Sequence, residues 1–258
     1  MQTELLMIGT ELLLGQVEDT NAGYLARSLA TAGVDLYWKT TVGDNASRIN
    51  DALQLGLSRS DTILCSGGLG PTADDITRDC VAQVLDMPLE YHADLFDVIE
   101  KRFRRFKRPL SENNRRQAFL PKGAVPIVNL EGTAPGLIAE RGSKTIICMP
   151  GVPRELRRMC EGVVIPYLKW KYEIASTIHY RVLLVEDVGE SRVDALIADL
   201  IQSQHNPTIG LLASAGLVRV RIAAKASSQD DALALIEPVE REIRERLAPL
   251  APAIRVES

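Results

Sequence analysis

Residues Ser66–Thr77, which read SGGLGPTADDIT, follow a short apolar run at Asp61–Cys65 (DTILC). Polar residues bound that run, and its length and composition predict a buried strand. Beyond it, Ile76, Val81, Val84 and Leu85 fall on one side of a helix. The order is therefore a strand, three glycines, and a helix with Asp74 and Asp75 at its mouth. Glycines let the backbone turn tightly and let a ligand approach the amides without a Cβ in the way. Successive N–H groups ahead of a helix N-terminus form an anion-binding nest. Two aspartates beside such a nest repel a phosphate unless a divalent cation lies between them, and oxygen-only donors suit Mg2+ or Mn2+. The pattern predicts a metal-bridged phosphate or diphosphate site, with Asp74 and Asp75 as the metal ligands. The competing reading is an ordinary strand-to-helix turn in which Asp74 or Asp75 caps the helix. Glycines alone favour that turn; glycines, proline and paired aspartates together favour a ligand site.

Toward the N-terminus, Leu5–Ile8 is an apolar strand that ends in Gly9–Thr10–Glu11. Asp19–Thr20–Asn21 offers helix caps, Leu25, Leu29 and Ala32 make a helical stripe, and Gly33 closes it. Val34–Val42 returns as a second strand with Gly43–Asp44–Asn45 at its end. Ser47 can cap the next helix, whose Ile49, Leu53 and Leu57 recur every four residues. Strands and helices alternating at this pace predict a parallel sheet covered by helices on both faces. Ligands of such sheets bind outside the carboxyl ends of the strands. Gly9–Thr10–Glu11, Asp44 and Ser66–Asp75 all lie just after strands, so three loops converge on one sheet edge.

Toward the C-terminus, Lys101–Arg108 (KRFRRFKR) is the most charged segment. Leu95, Ile99, Phe103 and Phe106 are spaced by four, four and three, which marks a core-facing stripe with the basic residues on the solvated side. Ser111–Gln117 has the look of a capped short helix. Its polar side chains serve equally well as surface groups or substrate contacts. Val125–Val128 is a strand, Asn129–Gly136 a glycine-and-proline loop, and Leu137–Glu140 with Thr145–Met149 a hairpin across Arg141–Gly142–Ser143. Pro150–Gly151–Val152–Pro153 opens a helix with Glu155 close behind and a core face of Leu156, Met159, Val163 and Leu168. The pattern changes around Lys169–Thr177. A long strand at Ile178–Val188, a helix from Gly189 through Ile201, a break at Asn206–Pro207, a half-exposed strand at Leu217–Ala226, a helix at Ser227–Leu247 and a strand at Ile254–Val256 follow. The chain divides accordingly into residues 1–169 and a small α+β module at 170–258.

A length of 258 residues is ample for a real core, and 46% hydrophobic with 25% charged residues places the chain among globular proteins. The formal net charge of −4 argues against nucleic acid as the main partner. Cys65, Cys80, Cys148 and Cys160 form no C-x-x-C and read as buried free thiols. The three histidines are scattered, which leaves no basis for a zinc site. Met1–Gly9 runs straight into a strand with no basic start or apolar leader, and no apolar run reaches membrane-spanning length. A cytoplasmic protein without membrane contact is expected.

Six motifs stand in a recognisable order: Gly9–Gly15 with Asp19–Asn21, Val42–Asn45, Gly67–Thr72 with Asp74–Asp75, Asn114–Ala118, Gly132–Gly136 and Pro150–Pro153. In this the chain resembles the competence/damage-inducible protein A (CinA) family over nearly its whole length. The resemblance implies an α/β three-layer sandwich with a mostly parallel sheet, the molybdopterin-binding-like fold shared with molybdenum-cofactor adenylyltransferases and one domain of FAD synthases. A small α+β KH-type module follows it. It also implies hydrolysis of ADP-ribose to AMP and ribose 5-phosphate, with a divalent cation and K+, and it places the two catalytic aspartates at Asp44 and Asp75. The candidate substrate and phosphate contacts are Thr10, Gly67, Gly68, Gly70, Thr72, Asn129 and Gly151. Ala73 departs from relatives that carry a basic or imidazole side chain there. Many CinA proteins continue into a nicotinamide-nucleotide amidase domain; nothing here corresponds to it, so amidase activity is not expected.

The leading expectation is thus a metal-dependent nucleotide-diphosphate pyrophosphatase. The alternative is binding or adenylylation of molybdopterin in the same cleft, and a second alternative is a regulatory or RNA-binding protein. RNA-gripping KH domains use a G-x-x-G loop, and Gly189, Gly210 and Gly216 do not form one. A homodimer is expected, because Val218, Val220 and Ile222 need a cover; the Ser227–Leu247 helix is the competing cover.

Overall fold

In the computed structural model, which describes residues 1–107, 109–214, 216–250 and 254–257, the strand ahead of the glycine turn is buried along its whole length. The N-terminal unit runs β1 (Thr3–Ile8), α1 (Thr10–Leu13), α2 (Thr20–Thr31), β2 (Leu36–Val42), α3 (Ala46–Arg59), β3 (Thr62–Ser66), α4 (Thr77–Val84), β4 (Leu89–Tyr91) and α5 (Ala93–Arg105). A 3-10 turn at Glu112–Ala118 leads to β5 (Phe119–Pro121), β6 (Val125–Ile127), β7 (Gly136–Arg141) and β8 (Lys144–Met149). The unit ends in α6 (Pro153–Met159), a π-turn at Cys160–Val164 and α7 (Ile165–Lys171). Six strands make one sheet in the order β2-β1-β3-β8-β7-β6. The four from β2 to β8 are parallel, whereas β7 and β6 are antiparallel additions. Strands β1 and β3 are buried on both faces, which is why they read as continuous apolar runs rather than alternating ones. Buried Glu4 in β1 is the exception, and it is fully paired: Arg59 donates to both its oxygens at 2.9 and 2.7 Å, and Thr40 Oγ1 donates at 2.7 Å.

Leu6, Ile8, Ile49, Leu53, Ile63, Cys65, Val81, Ile99 and Phe103 form one continuous core. The basic segment falls on α5 and just past it. Leu95, Ile99 and Phe103 are buried, whereas Phe106 lies beyond the helix and is exposed, so the core stripe stops one residue short of the expected pattern. Arg108 lies outside the described residues. The cap of α3 is Asn45, whose side chain accepts from Arg48 N at 3.1 Å, rather than Ser47. The small antiparallel pair β4–β5 has no counterpart in the sequence reading. All four cysteines are buried free thiols.

The chain forms two compact units, Met1–Leu29 with Val34–Glu173, and Ala30–Gly33 with Ile174–Ser258. The second unit holds β9 (Thr177–Glu186), α8 (Glu190–Ser203), β10 (Thr208–Ser214), β11 (Leu217–Ala226), α9 (Gln229–Leu247) and β12 (Arg255–Val256). Its four-stranded antiparallel sheet has the order β10-β11-β9-β12. Val218, Val220 and Ile222 pack under Val193 and Ile197 of α8 and under Ala232, Ile236 and Ile243 of α9. The face that was expected to need a second copy is closed within the chain. Strand β10, directly after the Asn206–Pro207 break, has no counterpart in the sequence reading. No helix of the described residues is long and apolar enough to cross a membrane.

Candidate active site

Four parallel strands end at one edge of the sheet, and the loops after β1, β2, β3 and β8 meet there around a cleft of about 400 Å³. The cleft is lined by Asp44, Gly67, Gly68, Gly70, Thr72, Asp74, Asp75 and Gly151 from the sequence-derived set. Gly9, Glu11, Gln117, Ala134 and Glu155 line it as well. Thr10 and Asn129 do not line it; each holds a carboxylate that does.

Thr10 and Asp44 are joined reciprocally. Thr10 N donates to Asp44 Oδ2 at 2.8 Å, and Asp44 N donates to Thr10 Oγ1 at 3.1 Å. This pair ties the loop after β2 to the first turn of α1 and leaves Asp44 Oδ1 without a protein partner among the described residues.

The glycine turn is fixed from below. Gly67 has φ 110°, and a Cβ there would lie 2.1 Å from Ile8 O; Gly68 has φ 65°, and a Cβ would lie 2.1 Å from Thr77 Oγ1. Only glycine fits either place. Thr77 Oγ1 donates to Gly67 O at 2.9 Å, and buried Arg78 donates to Leu69 O at 2.7 Å and Gly70 O at 3.1 Å. Burial pulls the Arg78 guanidinium below its ordinary range, and the nearby charges of Asp79 and Asp75 oppose that pull. Gly67 N donates to Met149 O at 3.0 Å. Gly68 and Leu69 line the cleft, and their N–H groups meet no protein acceptor among the described residues.

Asp75 is turned into its own loop. Its Oδ1 accepts from Gly70 N at 2.8 Å, and its Oδ2 accepts from Thr72 N at 2.9 Å and from Thr72 Oγ1 at 2.5 Å. The same hydroxyl lies 2.5 Å from Asp74 Oδ1, so one proton lies between two carboxylates. That bond holds the Asp74 carboxyl below the usual carboxylate range. The expectation of a cation on Asp74 and Asp75 meets a geometric difficulty: both Asp75 oxygens already serve the loop. No group of three His, Cys, Asp or Glu among the described residues is arranged to hold a metal ion.

Glu155, which the sequence reading used only as a helix-start marker, lines the cleft from the first turn of α6. Its Oε2 accepts from Asn129 Nδ2 at 2.6 Å. Asn129 is itself saturated: Nδ2 also donates to Ala134 O at 2.8 Å, and Oδ1 accepts from Gly132 N at 2.7 Å and Glu131 N at 3.0 Å. The substrate contact assigned to Asn129 is corrected on this ground, since no capacity is left for a ligand. A Cβ on Gly132 would lie 2.3 Å from Glu155 Cδ. Burial pushes the Glu155 carboxyl above its ordinary range, the Asn129 bond pulls it back, and the charge of Glu131 adds to the rise. Arg154 does not relieve it, because Arg154 pairs with Glu131 at 2.6 Å. Asn21, expected as a helix cap, instead ties two loops together, donating to Gly151 O at 2.7 Å and Ser66 Oγ at 3.2 Å. Asp19 takes the cap, accepting from Ala22 N at 2.9 Å.

Five carboxylates (Glu11, Asp44, Asp74, Asp75 and Glu155) line the cleft, and among the described residues no Lys, Arg or His does. An anion entering it therefore depends on backbone N–H groups and on the partial charge that Arg78 lends to the turn.

This sheet edge with its glycine turn defines a class: residues 4–170 match the family model described as "Probable molybdopterin binding domain". Residues 180–251 match the model described as "Damage-inducible protein CinA KH domain". The chain is 43% identical over 247 residues to a competence-damage inducible protein of Clostridium acetobutylicum, covering 96% of this chain and 60% of that one. The same figures hold for the corresponding protein of Caldicellulosiruptor bescii. Among solved structures, it is similar to the protein CinA, of unknown function, from Thermoplasma acidophilum, with 32% identity and a TM-score of 0.60 over 64% of this chain and 97% of that one. The chain belongs to the CinA family. It spans about 60% of the length of the curated relatives it matches.

Proposed function

We propose that the cleft binds molybdopterin and transfers a nucleotidyl group to it, as a binding or adenylylation site. The observation that carries this reading is that Gly68 and Leu69, on a glycine turn fixed from below, line the cleft while their N–H groups have no protein acceptor among the described residues. A preorganised amide pair stabilises the charge of a phosphate and of the transition state that forms from it, without reorganisation at the moment of reaction. The match to a molybdopterin-binding family model supports the same ligand class. The test is to incubate purified protein with molybdopterin, ATP and Mg2+ and to follow adenylylated pterin and released pyrophosphate by mass. Product formed in proportion to enzyme is expected; the absence of both binding and product overturns the reading.

The acidic wall favours a second reading, hydrolysis of a nucleotide diphosphate such as ADP-ribose to AMP and ribose 5-phosphate. Asp44 Oδ1 is free to take a proton from water attacking phosphorus. Mg2+ or Mn2+, and K+, belong to this reading as ions carried in with the diphosphate, since Mg2+ is commonly held by one or two carboxylates plus substrate phosphates. A panel of nucleotide diphosphates incubated with several metals, with products identified by mass, separates the two readings.

A further inference from the structure

We propose that Glu155 recognises the ligand beyond its phosphate, its Oε1 accepting from neighbouring hydrogen-bond donors, hydroxyl or ring N–H, on the part of the ligand next to the phosphate. The inference rests on the reading of the cleft as a site for a phosphorylated pterin or nucleotide. Three observations carry it. Glu155 lines the cleft from the wall contributed by α6, while the amides of Gly68 and Leu69 belong to the turn after β3. Its placement is built: Oε2 is held by Asn129 at 2.6 Å, Asn129 spends every other hydrogen bond on the loop that carries it, and Gly132 leaves the space that the carboxylate fills. Its charge is left unanswered, because the adjacent Arg154 is committed to Glu131 and Oε1 has no protein partner among the described residues. A half-buried carboxylate held by one oxygen, on a residue that lines a cleft with no cationic side chain among the described residues, is an acceptor awaiting a donor. Phosphate oxygens cannot supply one at neutral pH; the hydroxyls of a ribose or the N–H groups of a pterin can. Asn129 acts through Glu155 as a positioning residue.

The test is titration calorimetry of the full chain in Mg2+ buffer with four probes: AMP, 2′,3′-dideoxy-AMP, neopterin monophosphate and inorganic pyrophosphate. Glu155→Gln keeps the size and the Asn129 bond but halves the accepting capacity. It is expected to weaken AMP or neopterin monophosphate about tenfold or more while leaving pyrophosphate unchanged. A ribose source shows as a loss with AMP but none with the dideoxy analogue; a pterin source shows as a loss confined to neopterin monophosphate. Asn129→Ala is expected to lower the same affinities in the same pattern. Glu155→Asp, which keeps the charge and withdraws it by one methylene, gives the same selectivity if Glu155→Gln fails to fold. An equal loss for pyrophosphate, a loss that added Mg2+ repairs, or no loss at all overturns the proposal. If the unsubstituted protein binds none of the probes, the reading of the cleft fails and the inference with it; binding that ignores Glu155 removes the inference alone.

Discussion

Asp75 shows how one side chain builds the turn that a ligand meets. Its carboxylate takes two backbone N–H bonds and a hydroxyl, and charge-assisted bonds of this kind are roughly twice as strong as neutral ones. Asp75→Asn keeps the shape but replaces one acceptor oxygen with a donor. The expected result is a folded protein by circular dichroism, with faster hydrogen exchange at Gly70 and Thr72 and lost or strongly weakened ligand binding. Unchanged exchange at both amides and full ligand affinity would remove the assignment. Gly70 is the complementary case, since a Cβ there would lie 2.4 Å from Asp75 Oδ2. Gly70→Ala must push the carboxylate off its bonds, at about 1–3 kcal/mol by the general cost of overpacking. Urea denaturation measures that loss, and a Gly70→Ala protein as stable as its parent would show that the turn yields freely.

At the scale of elements, a parallel sheet built from β1, β2 and β3 and the three loops at its carboxyl edge were legible, because apolar runs alternate with helical stripes and glycine follows each run. The order β2-β1-β3-β8, with β8 parallel to β3, emerged only in the fold. The glycines and aspartates of the cleft were legible for the same reason. What stayed hidden has physical causes. Strands β4 and β5 are three residues each, too short for a period to show. Strand β10 hid behind the Asn206–Pro207 break. Glu155 was read as an ordinary first-turn acid, and the signal that could have marked it, the space left by Gly132 across the chain, exists only once the loop is folded. The C-terminal unit has a comparable cluster, in which nearly buried Glu240 accepts from Arg181 and from Arg244 Nε at 2.8 Å. Burial pushes its carboxyl up, and the two arginine bonds outweigh that and hold it below the ordinary range. A depressed carboxyl stabilises the fold above its unfolded pKa, and that stability is lost as pH falls through the folded value. Glu240→Gln is therefore expected to cost about 2 kcal/mol at neutral pH. The gap should shrink as the pH drops below ~4; a gap that stays constant down to acid pH would exclude Glu240 as its source.

Across the whole molecule, each unit carries its own core. The second unit's core draws every member from Leu183 through Leu247, and some 85 residues are enough for independent folding in many domains. A fragment starting at Ile174 is expected to melt cooperatively, and a non-cooperative melt would mean that its core is incomplete. The same fragment is expected to show no salt-sensitive, sub-micromolar affinity for single-stranded RNA. Its glycines serve other ends: Gly189 caps α8, Gly210 lies within β10, and Gly216 turns between β10 and β11 with φ 81°. Helices α8 and α9 close the apolar face of Val218, Val220 and Ile222, so that face calls for no second copy of the chain, and light scattering measures assembly directly.

The hairpin between β7 and β8 offers a practical handle. Strand β8 delivers Pro150 and Gly151 to the cleft at one end, so its other end, six residues away at about 3.3 Å each, is roughly 20 Å from the chemistry. Ser143 there is exposed, while all four native thiols are buried, with burial pushing Cys80 up to about 11 and Cys160 up to about 12. A Ser143→Cys protein should take a single maleimide dye or surface tether without prior removal of any cysteine. Mass spectrometry under native conditions checks that stoichiometry, and a reporter so attached would follow cleft occupancy from a distance, without obstructing what enters.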